Sequence, residues 1–406
     1  MLQINNNINL LIVMKKYFAI AVASAVVLAG CAKVENYEVT ENNGEIPIGF
    51  TNYSPTSLVK AGDTYINGTE LVSDKQFAVY AWQTDNASFL GVNPGTPNFM
   101  NPAVVTWKGD KTDGDENTYS PVRFWPSGDT PANLSFTAYY PYGGAGITAP
   151  TFSNGVGTYA FTAQAASENM VDFCVADVVN DQVYGNTNAG SSYKSTVKFT
   201  FKHQLAKIQF KFKKAAGLGE TTVIELVDAE LVKIKNAGTL TATYAQNASP
   251  AVNALGTTTT AWSAQSGEAG FEVKVNTADP ESASPIALTE TASTVANGDI
   301  FLMVPQDMAA NTQAINVTWN VKVYDTAANA SANGTTGLLS STPNTATLSF
   351  YSDLKVSDTD DTAASAINWA KNSFVTYTIT IGPKPIWFTA EVVDWATEQN
   401  GYLNAQ

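Results

Sequence analysis

Histidine, arginine and cysteine are almost missing from this 406-residue chain, which has one histidine, His203, one arginine, Arg123, and two cysteines, Cys31 and Cys174. A single histidine removes most routes to a Ser/His/Asp or Cys/His site and to a His-rich metal site. A glycosidase-type carboxylate pair cannot be singled out among 36 acidic residues. No catalytic residue, metal ligand or cofactor is therefore assigned, and the chain is not read as an enzyme. Basic residues are also scarce. The net charge is −14, or −16 without Lys15 and Lys16, which makes nucleic acid and anionic lipid poor partners. Helical periodicity of more than three turns is absent after residue 30. The longest apolar run, Tyr17 to Leu28, is shorter than the ~20 residues that a spanning helix needs.

What that run does fit is a secretory signal of the lipoprotein kind. Lys15 and Lys16 precede it and Leu28-Ala29-Gly30-Cys31 closes it, so residues 1–30 are expected to leave and Cys31 to carry acyl chains. Met14 stands just before the charged pair and is a possible true start. With Cys31 acylated, Cys174 has no partner and no internal disulfide can form. Stability must then come from core burial. Residues 31–45 are polar, rich in Asn and Glu, and read as a flexible tether reaching up to ~50 Å when extended.

Beyond the tether the alternation is that of strands. Ile46, Ile48 and Phe50 fall on one face, and a polar, turn-prone run (Ser54, Pro55, Thr56, Ser57) leads to Lys60-Ala61. That order suggests a first strand removable by proteolysis after Lys60. Phe77, Val79 and Ala81 alternate with Ala78, Tyr80 and Trp82, and the strand-like runs Phe124-Trp125-Pro126 and Leu134 to Pro141 follow, each closed by a proline that cannot donate to a ladder. The acidic stretch Asp110 to Asn117 misses the calcium-loop pattern and reads as a hairpin turn.

An Asn/Gly/Ser-rich stretch from Asn180 to Lys194 places a boundary near residue 190. After it Val197, Phe199, Phe201 and His203 share a face, and then Ala206, Ile208, Phe210 and Phe212 take over on even numbers. The switch at Gln204-Leu205 implies a bulge or tight bend, with His203 as a structural residue holding it. Further strand-like runs cover Val223 to Leu226, Leu231 to Ile234, Thr239 to Tyr244, Phe271 to Val275, Ile300 to Pro305, Ile315 to Val323, Phe374 to Ile381 and Ile386 to Trp395, with Ala/Thr/Asn/Gly-rich stretches between them read as loops. The expectation is an all-β chain of two tandem β-sandwich domains of transthyretin-like or Greek-key type, at 46–190 and 191–406.

In this order the landmarks carry a resemblance. The lipobox before Cys31, Lys60-Ala61, Phe77-Ala78-Val79-Tyr80-Ala81, Phe124-Trp125-Pro126, Phe199 to Ile208, Met303-Val304-Pro305-Gln306 and Val392-Val393-Asp394-Trp395 together resemble the fimbrillin family of Bacteroidales, subunits of lipoprotein-derived pili. The resemblance implies export to the outer membrane as a lipoprotein. It also implies removal of the first strand by a protease and filling of the exposed groove by a strand from another subunit. The implied partners are other fimbrillin subunits by β-strand complementation, the outer membrane through the lipid, and a host protein or glycan. The best-known members are cut after Arg, whereas here the cut falls at Lys60. An uncut chain would remain on its lipid as an anchor or accessory. Two other classes stay open beside the pilus subunit: a glycan-binding surface lipoprotein using Trp107, Trp125, Trp262 or Trp387, and a glycosidase.

Overall fold

The computed structural model describes residues 45–53 and 74–395, apart from 86, 91–93, 109–116, 127–131, 185–194, 246–255, 274–284, 295–299, 309–311, 358–359 and 383–385. The signal segment, Cys31, the tether, Lys60 and Ala61 lie outside the described residues.

The regular structure of the described residues is nearly all strand. In order the strands are β1 (Gly49–Tyr53), β2 (Gln76–Gln83), β3 (Met100–Thr106), β4 (Leu134–Tyr140), β5 (Thr151–Ser153), β6 (Val156–Thr162), β7 (Cys174–Ala176) and β8 (Val179–Gln182). They continue with β9 (Thr196–His203), β10 (Ala206–Lys214), β11 (Thr222–Ile234), β12 (Ala237–Ala245), β13 (Thr257–Ser266), β14 (Ala269–Glu272), β15 (Ile286–Ala287) and β16 (Ser293–Thr294). The last are β17 (Ile300–Met303), β18 (Ala314–Tyr324), β19 (Leu338–Ser349), β20 (Lys355–Ser357), β21 (Asp360–Ala363), β22 (Ser373–Ile381) and β23 (Ile386–Asp394). A six-residue helix, α1 (Ala327–Ala332), interrupts the β18–β19 hairpin. No helix among the described residues is long and apolar enough to cross a membrane.

A seven-stranded sheet in the order β1-β9-β7-β4-β2-β3, with β8 also on β4, carries the first half of the chain. Its central strands β2 and β4 are buried on both faces because both faces are covered. Phe77, Val79 and Ala81 of β2 enter one core with Leu134, Phe136, Val197 and Phe199. Ala78, Tyr80 and Trp82, from the opposite face of the same strand, enter a second core that runs through Tyr159, Phe210, Ile315 and Tyr377 to Trp395. The second core is walled by the four-stranded sheet β13-β12-β6-β5 and by the sheets containing β10-β22-β23 and β11-β18-β19.

The sheets do not divide at residue 190. β9, which follows that point, pairs with β1 and β7, and β6, which precedes it, pairs with β12. The Asn/Gly/Ser-rich stretch leads from β8 to β9, two strands of one sheet, so its composition marks a connection within that sheet. The change of sheet comes at Gln204-Leu205, between β9 and β10, where the side-chain phase also changes.

Two runs that the sequence separates, 223–226 and 231–234, are one strand. β11 shifts register against β18 between Leu226 and Asp228. Ile224 and Leu226 are buried before that bulge and Ala229 and Leu231 after it, so the apolar set changes parity without leaving its core. β13 and β19 are absent from the sequence reading. Both are outermost in their sheets, are largely exposed and consist mainly of Thr, Ser and Ala, so they offer no apolar alternation to detect.

Candidate functional site

The site built most fully from the sequence's own candidates is the seat of β1. This strand runs parallel to β9, with Gly49 beside Thr196 and Phe50 beside Val197. Its entry is fixed on the other side by residues 117–125. Ile48 N donates to Arg123 O at 2.9 Å and Trp125 N to Ile46 O at 2.9 Å, with an antiparallel bridge between Pro47 and Phe124. Tyr119 Oη donates to Ile48 O at 2.9 Å and Asn117 Nδ2 to Phe50 O at 3.1 Å. Backbone groups on both edges of this segment thus find partners, β9 on one side and residues 117–125 on the other.

Alternation places all three apolar candidates in one core. Ile48 and Phe50 are 1% and 3% exposed, and half-buried Ile46 packs against the same cluster. The Phe50 ring stacks on Phe199 at 5.8 Å and meets Tyr119 at 5.3 Å and Phe136 edge-on at 6.1 Å. Burying two such side chains stabilises by roughly 1.5–3 kcal/mol each. The slot that they fill is therefore apolar and is occupied by side chains at a period of two. The hairpin expected at 110–117 is flanked by an antiparallel bridge between Thr106 and Thr118; of its loop, Asn117 alone is described, accepting from Lys108 N at 2.9 Å through Oδ1.

A second cluster gathers where β9 ends. His203 Nδ1 lies 2.9 Å from Asp172 Oδ1 and 3.5 Å from Cys174 Sγ, and Cys174 Sγ donates to the same carboxylate oxygen at 3.4 Å. The sequence places His203 at a bend, and the bend is pinned: Gln204 N donates to Phe173 O at 2.9 Å, and Trp262 Nε1 to Gln204 O at 2.7 Å. That Asp172 and Cys174 join His203 was invisible in the sequence, because some thirty residues separate them and only the β7–β9 pairing brings them together. The three side chains offer donor atoms of the kind that bind metal, all within 4.8 Å of one another. As a nucleophilic relay the geometry is wrong. Thiol and carboxylate face the same ring nitrogen, whereas a relay needs them on opposite nitrogens. Burial first, and then the Asp172 carboxylate, push the Cys174 thiol well above its ordinary pKa, away from the reactive thiolate.

Of the tryptophans considered for glycan binding, Trp107 and Trp125 are 2% and 4% exposed and belong to the first core. Burial removes them as platforms. Trp262 is half-buried against Phe161 and Phe173. The side chain of Trp387 is not among the described ones.

The fimbrillin-like family model matches residues 64–395 of this chain. Among solved structures, a fimbrial protein from Bacteroides vulgatus is similar at 19% identity with a TM-score of 0.53, covering 86% of this chain and 99% of that one. A candidate cell adhesion protein from Bacteroides ovatus is 18% identical with a TM-score of 0.40, covering 87% and 99%. Another from Bacteroides uniformis is 15% identical with a TM-score of 0.39, covering 87% and 99%. No protein of the curated set matches the chain.

Proposed function

This chain belongs to the fimbrillin-like family, and from that premise we propose that it is a structural or adhesive subunit of a cell-surface pilus, exported as an outer-membrane lipoprotein on Cys31 and assembled by strand exchange once the segment ending at Lys60 is removed. The observation that carries the reading is the seat of β1. It is an outermost strand, contributed by the described residues nearest the proposed anchor, and its Phe50, with Ile48 just before it, fills an apolar slot. If that strand left, the N–H and C=O row of β9 and the faces of Phe136 and Phe199 would be uncovered. A strand of like alternation from another subunit would restore both. While β1 stays, the slot is filled from within and the subunit remains monomeric.

Limited digestion with a Lys-specific protease, followed by N-terminal sequencing and size analysis, tests this. Loss of residues 31–60, a new terminus at Ala61 and a ladder of multimers are expected. A clipped chain that stays monomeric would overturn strand exchange; a mature chain that keeps Cys31 at its terminus and resists cutting at Lys60 would overturn it too and leave an uncleaved lipid-anchored protein serving as a fimbrial anchor, an accessory or a glycan binder.

A further inference from the structure

At the tip of the β18–β19 hairpin three reactive groups meet. Lys322 of β18 points its Nζ at Glu225 Oε1 of β11, 2.6 Å away, and at Asn333 Oδ1, 3.4 Å away. Asn333 closes α1 in the left-handed region, with φ 47°. Its Nδ2 donates to the same Glu225 oxygen at 2.7 Å. One carboxylate oxygen thus touches both an amine and a side-chain amide that are themselves in contact.

We propose that Lys322 and Asn333 condense into an intramolecular isopeptide bond, with Glu225 as the catalytic proton carrier.

Four features support the reaction. The Glu225 and Lys322 side chains are 5% and 18% exposed, so the step takes place largely out of water. Tyr324, itself 2% exposed, places its hydroxyl 3.0 Å from both Asn333 Oδ1 and Gly334 O, so its proton is shared between the oxygen on which negative charge develops and a backbone carbonyl. Asn320 Nδ2 donates to the other oxygen of Glu225 at 3.4 Å and fixes the carboxylate plane. Fourth, the contacts bring the reacting groups together in the folded ground state, so little orientation remains to be achieved.

The steps balance. A proton passes from Lys322 Nζ to Glu225 Oε1, and the neutral amine attacks Cγ of Asn333. Glu225 delivers its proton to Nδ2 while taking a second from Nζ; the Cγ–Nδ2 bond breaks, the carbonyl re-forms, and ammonia leaves. It carries off the remaining proton as ammonium, and Glu225 is again a carboxylate. The product is a secondary amide that ties β18 to the end of α1, and no oxidant or co-reactant is consumed.

The test is mass spectrometry of the folded full chain with peptide mapping. The wild type is expected to lack one ammonia relative to its sequence, with a single branched peptide joining the Lys322 and Asn333 segments. Lys322→Arg keeps a cation beside Glu225, and Glu225→Gln keeps the shape; both should restore the full mass, with a cooperative melt showing that each variant is folded. A wild type of full mass after prolonged incubation would overturn the proposal. So would ammonia loss that persists in Lys322→Arg, since that places the loss in a succinimide at Asn333-Gly334.

Discussion

Trp395 lies flat on His203, with ring centroids 4.2 Å apart and planes 5° apart. The residue that follows the last strand thus covers the residue that ends β9, and the Lys207 ammonium sits 5.8 Å from the same indole. His203→Ala removes the stack and the hydrogen bond to the buried Asp172 carboxylate, and should cost about 2–4 kcal/mol. His203→Phe keeps the stack and loses the hydrogen bond. Denaturant unfolding should rank it between wild type and His203→Ala, and equal losses for both variants would mean that the stack contributes nothing.

Phe210 is 2% exposed and stacks on Tyr377 at 5.5 Å, with Phe301 at 6.1 Å. Its truncation to alanine should cost about 3–5 kcal/mol. Lys211, on the opposite face of β10 and half-buried, should cost under ~0.5 kcal/mol when changed to alanine. Equal shifts in thermal unfolding would contradict the assignment of faces.

Phe50→Ala should also cost about 3–5 kcal/mol, because the ring fills the centre of the β1 seat between Phe199, Tyr119 and Phe136. The loss should appear as a loosening of the first strand ahead of the rest. Hydrogen exchange at residues 46–53 is then expected to quicken while β10 and β22 keep their protection. Uniform quickening across all sheets would show that β1 cannot be released by itself.

Burial pushes the Tyr244 phenol up to about 12, and burial, then the neighbouring Tyr142, takes Tyr139 to about 12 as well. Both groups favour their neutral form in the fold and titrate near 10 when unfolded. Their contribution is therefore complete below pH ~10 and is lost as pH rises through about 12. Stability measured by denaturant titration should fall across that window. Tyr244→Phe should fall less steeply than wild type, and parallel curves would mean that the phenol gains nothing from burial.

Much of this protein could be read from period-two alternation alone. Phe50, Phe77 to Trp82, Leu134 to Tyr140, Phe199 to His203 and Ala206 to Phe212 all lie in strands, and the phase switch at Gln204-Leu205 is a real passage from one sheet to another. Alternation reports which side chains share a face, because that is fixed by the geometry of a single strand. It does not report which strands are neighbours. Pairing across long separations brought Asp172 and Cys174 to His203, put β9 beside β1, and set Glu225 against Lys322 and Asn333. Nor could alternation find β13 and β19, whose small polar side chains stand mostly in water and leave no apolar signal. The sequence by itself determined the strands with an apolar face and which side chains that face buries. Only the tertiary structure decided how those faces are shared between two cores and which polar groups are sealed together, since both depend on contacts between residues far apart in the chain.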